Sequence, residues 1–342
     1  MTLEKKPANN TPAHADSRST VRRVLPPPVT GQEFVLIGVI AVLWILLGIF
    51  TPAFLTPGSI QPLLVSVAPI ALIGVGMTFI IITAGIDVSV GGAIMLCAVV
   101  TAKALVSIDI PLIGAIALSV VLGLALGLIN GTLIAYGRVH AIIITFGTAN
   151  VFQFVALRVF GSSTVNGIPS TLEVFGRGEA GRTLGVPNSF ALTILAVALA
   201  WWYLRHTAGG RHLFAIGGNA QAARLAGIKV QPRIVATYAL TGALVGVAAC
   251  FFIASGTSTL DQSIGSGREL AVIAAVVIGG TSILGGRGSV IGTLLGAILV
   301  ATVTSGVTQI GWPSQLANLF VGAFIIIAVG TDLLRERARR KS

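Results

Sequence analysis

QPLLVSVAPIALIGVGMTFIIIT, residues Gln61–Thr83, contains no charged side chain over its whole length. A run of this kind exceeds the roughly 20 apolar residues that an α-helix needs to cross a hydrocarbon core about 30 Å thick. It reads as a membrane span. At AGIDVSVGG (Ala84–Gly92) the chain turns, and a second apolar run leads away to Val106.

The pattern extends in both directions from this stretch. Apolar runs are expected as spans over Phe34–Leu55, Gln61–Thr83, Ser89–Val106, Pro111–Tyr136, Ala141–Phe160, Ser189–Leu204, Ile234–Ser255, Glu269–Leu284, Ser289–Ile310 and Gln315–Val329. The third, sixth and eighth are short, and glycine interrupts the third and the eighth, as it does in broken segments lining a cavity. Composition agrees: of the 342 residues, 54% are hydrophobic and 10% charged, against about a quarter charged in soluble domains. The 42 glycines suit helices whose backbones approach closely. The fold class is therefore all-α, a polytopic transmembrane bundle of about ten spans.

The net charge of +11 would suit nucleic acid by its sum, but its distribution follows the spans instead. Lys and Arg accumulate on cytoplasmic loops. With both termini inside, the N-terminal tail, Arg138, the segment 205–233, Arg287 and the C-terminal RERARRKS collect seventeen of the 22 basic residues. Residues 1–33 read as a disordered cytoplasmic tail ending near Pro26, Pro27 and Pro28. They are no signal peptide, because the first apolar run begins only at Phe34. Residues 34–331 form the transmembrane domain, and 332–342 a basic cytoplasmic tail. Cys97 and Cys250, both in apolar runs, suggest neither a disulfide framework nor a thiolate metal cluster.

Two segments between spans are long enough to matter. The external one, 161–188, is rich in Gly, Ser and Thr and can cover a pore mouth or meet a partner. In the cytoplasmic one, 205–233, Asn219 is placed to cap a short helix over QAARLA, and Gly227 to end it in the left-handed conformation. A weak parallel repeat also shows: AGIDVSVGG and GGTSILGGRGS (Gly279–Ser289) are both Gly/Ser turns between apolar helices, in the same orientation. Asp87, Ser89, Gly91, Gly285, Gly286 and Arg287 are the candidate turn residues. Asp87 either caps the third span or braces its turn, or else serves as a functional intramembrane carboxylate.

Catalytic motifs are missing. No GxxxxGK[ST] frame precedes any of the five lysines, Lys5, Lys6, Lys103, Lys229 and Lys341, so this chain is expected to bind no ATP itself. His14, His140, His206 and His212 show no metal-ligand spacing. A path for a neutral polyol instead needs uncharged donors and acceptors. Thr78, Thr83, Asn130, Thr145, Thr148, Asn150 and Gln153 supply them, each equally able to join neighbouring helices by a hydrogen bond of about 1 kcal/mol.

GMTFIIITAGIDVSVGG (76–92), NGTLIA (130–135), ITFGTAN (144–150), GRHLFAIGGNAQAARLAGI (210–228) and ELAVIAAVVIGGTSILGGRGSVIGT (269–293) closely resemble, in order, the membrane permeases of ribose-type ABC sugar importers. The resemblance implies a homodimer of permeases in the bacterial inner membrane, an ATP-binding subunit holding ATP and Mg, and a periplasmic sugar-binding protein. The cargo implied is a pentose or hexose. Gln221, Ala222 and Ala223 with Gly227 resemble the EAA loop of importers, with Gln in place of Glu, so that Asn219 to Gly227 becomes the element coupled to the ATPase. Arg224 then offers a charge to a partner acid. Where many relatives carry ELDAIAA this chain has Ala271, and no role of that acid transfers. The alternatives are an ABC permease for branched-chain amino acids or nucleosides, and a self-sufficient secondary transporter.

Overall fold

The computed structural model describes residues 31–341 apart from 138, 162, 163, 177 and 257. The expected tail up to residue 30, Arg138, Arg177 and the side chains of the C-terminal basic run lie outside the described residues. The helices, in chain order, are α1 (Gly31–Phe50), α2 (Pro57–Ile82), α3 (Val90–Ile108), α4 (Leu112–Gly137), α5 (Ala141–Phe160), α6 (Asn188–His206), α7 (Ala208–Gly218), α8 (Ala220–Leu225), α9 (Val230–Ser255), α10 (Arg268–Ile278), α11 (Val290–Gln309) and α12 (Gln315–Lys341). Every expected span has its helix. Eight of them, α1 to α6, α9 and α11, are long and apolar enough to cross a membrane.

Two expectations need correction. The apolar run expected to span Glu269–Leu284 is helical only to Ile278, because Gly280 takes φ +92° and the chain leaves the helix there. Eleven residues rise roughly 16 Å, about half a bilayer. The segment 205–233 is also more helical than expected. His206 still belongs to α6, and α7 follows at once, its N-terminus capped by the Thr207 hydroxyl accepting from the Gly210 N–H at 3.1 Å.

Direction alternates along the chain. α9 leaves the end of the bundle that carries α7 and α8, and α4 arrives there antiparallel to it. The α4–α9 contact is set by glycine. A Cβ on Gly127 would overlap the Tyr238 carbonyl, one on Gly123 the Gly242 carbonyl, and one on Gly246 the Ser119 carbonyl. Only backbones without side chains between them approach so closely. Around this pair, α2 is buried along nearly its whole length. At the far end, β1 (Val165–Asn166) pairs antiparallel with β4 (Thr259–Leu260), and β2 (Arg182–Thr183) with β3 (Val186–Pro187). The external segment 161–188 thus carries short strands and two 3-10 turns, one of which packs Phe175 on Phe251 of α9 at 5.1 Å.

Gly127→Leu should lower the yield of folded, monodisperse protein severalfold, in line with an overpacking cost of about 1–3 kcal/mol. Gly147→Ala, at a position with open space around it, should leave yield unchanged. Fluorescence size-exclusion of detergent extracts measures both, and equal yields would refute the close-contact account.

Candidate functional site

The turn between α2 and α3 doubles back into the bundle. Asp87 is buried, and one of its carboxylate oxygens accepts from both the N–H (2.9 Å) and the hydroxyl (2.6 Å) of Ser89. Asp87 therefore braces the turn, closing an Asx-type ring just before α3, and makes no capping bond to the helix itself. Asn130 Nδ2 donates to the Ser89 hydroxyl at 2.7 Å, tying the turn to α4. Thr145 of α5 takes the other side, donating to the Ile86 carbonyl and accepting from the Val88 N–H, both at 3.2 Å. Two helices, α4 and α5, thus hold the turn that fixes where α3 begins.

That beginning is deep. Gly92 abuts the Ala149 carbonyl and Phe152, which lie two to three turns along α5, roughly 12–16 Å from its start. α10 begins at the same level: a Cβ on Gly91 would overlap a carboxylate oxygen of Glu269, and one on Gly265 the Gly91 carbonyl. The N-terminal ends of two helices, each carrying part of a positive charge, therefore meet inside the bundle.

Beside that meeting point lies a cavity of about 190 Å³. Gly91 and Gly92 form one wall, Phe146, Asn150 and Gln153 of α5 a second, and Gln262, Ser266 and Glu269 a third. Amides supply donors and acceptors, and the carboxylate of Glu269 adds acceptor positions. Such a set matches a polyhydroxy solute better than an apolar or strongly charged one. The volume is below the 300–1,000 Å³ usual for a small-molecule site, and Asn150 and Gln153 are exposed on the surface of the single chain.

The exposed face of α5 explains why. Ile143, Phe146, Asn150, Gln153 and Leu157 are spaced alternately three and four residues apart, which lines them on one stripe of a helix. This seam of apolar side chains is interrupted by two amides.

Of the seven polar residues expected along a path, the structure brings only Asn150 and Gln153 to this cavity. Thr78 is spent between helices, its hydroxyl bonded to the Gly74 carbonyl and to Thr293 Oγ1 of α11, each at 2.7 Å. Thr83 bonds back to the Ile80 carbonyl at the end of α2, and Thr148 back to the Thr145 carbonyl. Asn130 and Thr145 hold the turn. Gln262 and Glu269 were not among the expected path residues, and only the inward course of 261–267 shows what they face.

The turn between α10 and α11 meets the first turn directly. The Gly286 N–H donates to the Ile82 carbonyl at 2.9 Å, and Gly285, at φ +85°, packs on Ala84 and the Gly217 carbonyl of α7. Ser289 caps α11 and donates to the carboxylate of Glu33, which is buried in the first turn of α1. Next to α7, Asn219 Oδ1 accepts from the N–H groups of Gln221 and Ala222, both at 3.0 Å. Gly227 ends α8 at φ +82°, with the Ile228 N–H reaching back to the Ala223 carbonyl. Ala223 is buried against Ile216 and Val230, while Gln221, Ala222, Arg224 and Leu225 are exposed, Leu225 to 85%. Among the described residues no cluster of three or more His, Cys, Asp or Glu could hold a metal ion.

Asp87→Ala removes both turn bonds and should lower the melting temperature of the purified protein, at a cost of about 1–3 kcal/mol. Asp87→Asn keeps the acceptor and should hold most of that stability. A larger loss in Asn than in Ala would contradict the bracing role.

Residues 59–329 match the family described as branched-chain amino acid transport system / permease component. The ribose import permease protein of Escherichia coli is 36% identical over 283 residues, which cover 82% of this chain and 88% of that protein. Its namesake in Bacillus subtilis is 38% identical over 293 residues, 85% of this chain and 89% of that one. The autoinducer 2 import system permease protein of Photorhabdus temperata is 35% identical over 305 residues, 87% of this chain and 90% of that one. No solved structure matches the chain.

Proposed function

We propose, since the chain belongs to the ribose-type family of ABC import permeases, that it forms the pathway by which a monosaccharide, a pentose or hexose, enters the cell across the inner membrane. The observation that carries the reading is the cavity between α3, α5 and α10, lined by the amides of Asn150, Gln153 and Gln262 and by Glu269. A sugar presents hydroxyls that both donate and accept, and these groups answer them without burying a net-charged solute. A branched-chain amino acid would present a zwitterion, for whose carboxylate this lining has no cation.

The α5 seam supports a homodimer. Amides facing hydrocarbon have no partner there, whereas a second α5 placed against Ile143, Phe146 and Leu157 would cover the apolar positions and double the cavity. In this arrangement the α7/α8 end is cytoplasmic, as are both termini, and the segment 161–188 faces a periplasmic sugar-binding protein. ATP and Mg belong to a separate ATP-binding subunit, which docks on α8. Arg224 supplies the charge and Leu225 the apolar anchor, held out by the buried Ala223.

Alternating access then takes a concrete form: occupancy and ATP binding bias the dimer between states opening outward and inward. The two turns that touch at Gly286 and Ile82 lie between α7 and the cavity, so a displacement of α8 reaches the starts of α3 and α11 through backbone contacts.

Two measurements test this. Gln153→Ala should raise the half-saturating ribose concentration for ATP-dependent uptake in proteoliposomes of the whole transporter by up to about tenfold, the value of one uncharged hydrogen bond. An unchanged value would remove Gln153 from the path. Arg224→Glu should abolish co-purification of the ATP-binding subunit or uncouple hydrolysis from uptake, and normal assembly with normal uptake would count against docking at α8.

A further inference from the structure

A second cavity, of about 710 Å³, opens between α2, α6, α7 and α9. Its walls are apolar over most of their length: Val75, Leu199, Leu240 and Leu244 line it at depth. Polar groups gather at one end only, where Arg233 in the first turn of α9 faces Trp202 and Tyr203 in the last turns of α6. From Arg233 to Leu244 the groove follows α9 for about three turns, roughly 16 Å.

The helices that line the groove carry no carboxylate to pair with the charge at that end. Arg233 Nε is buried without a hydrogen-bond partner among the described residues. From Ala180 to Leu260 the chain carries Arg182, Arg205, Arg211, Arg224, Lys229 and Arg233 but no Asp or Glu, so no neighbouring carboxylate on these helices can answer it. Lys229 and the N-terminal end of α9 add positive potential beside it. Trp202 is 56% exposed, and indole rings of this kind favour the level of lipid headgroups.

From these observations we infer that the α2/α6/α9 groove binds an anionic phospholipid, its headgroup phosphate on Arg233 and one acyl chain laid along Leu199, Leu240 and Leu244. An amphiphile with a single anionic end fits a groove that is apolar for three turns and cationic at its mouth. A sugar does not, since nothing along the walls would replace its water. The site is on the opposite side of α9 from Gly242 and Gly246, which face α4, and its occupant is separate from the transported solute.

Native mass spectrometry of the full-length chain in mild detergent, titrated with phosphatidylglycerol or with phosphatidylcholine of the same acyl chains, tests the inference. Wild type should retain phosphatidylglycerol with roughly fivefold preference, the contribution expected of one basic residue at a membrane surface. Arg233→Gln should reduce the preference to near parity, and Arg233→Lys should keep it, which separates charge from folding. Ala236→Trp, which fills the groove, should remove adducts of both lipids, whereas Arg158→Gln, on α5 away from the groove, should change neither. Equal retention of the two lipids by wild type, or an Arg233→Gln protein indistinguishable from it, would overturn the proposal. So would an Ala236→Trp protein that keeps its lipids but loses a dimer present in wild type, because the groove would then be an interface between copies. None of these outcomes depends on which solute is carried.

Discussion

The backbone contact between α4 and α9 sets the rest of the molecule. In hydrocarbon no hydrophobic force presses two helices together, so association depends on packing and on hydrogen bonds between them. Gly123 and Gly127 of α4 lie against Gly242 and the Tyr238 carbonyl, and the resulting proximity carries Asn130 to Ser89 and Tyr238 beneath the same turn. Where α3 starts, and hence where the cavity lies, follows from that distance. A pair of helices held farther apart by side chains would take Asn130 out of reach of the Ser89 hydroxyl and leave that hydroxyl bonded to Asp87 alone.

Buried polar groups along this chain divide by what they bond. Those that close turns or join helices are consumed, as with Thr78 on Thr293 and Ser119 on the Gly246 carbonyl. Asn150, Gln153, Gln262 and Glu269 line the cavity and present polar atoms to it, even though Asn150 Nδ2 also bonds back to the Phe146 carbonyl at 2.8 Å. The distinction is one of geometry rather than residue type. Amides and acids occur in both sets.

This division marks what could be read from residues alone. The spans were legible because uncharged runs of twenty residues admit few other readings, and the cap at Asn219 with the stop at Gly227 because both positions need particular side chains or φ values. α7 was hidden by its four glycines, which lower helix propensity but permit the contact of Gly217 with Ile82 and of Gly210 with Leu204. The early end of α10 was hidden for the opposite reason: Ile283 and Leu284 continue the apolar run past the helix, and only the left-handed Gly280 ends it. The lining of the cavity was half legible. Asn150 and Gln153 announced themselves as amides in a span, but the inward course of 261–267 depends on strand pairing between β4 and β1, nearly a hundred residues apart in sequence.

Two turns related by a weak repeat touch each other through Gly286 and Ile82, with α7 wedged against both. To the extent that the three segments move together, the free energy by which a ligand at α8 favours one arrangement of the turns is also felt at the cavity at the start of α3. The same reciprocity runs the other way: a solute that prefers one arrangement must alter the affinity of whatever grips α8 by an equal factor. The bond between the two turns thus joins the cavity inside the bundle to the surface at α8.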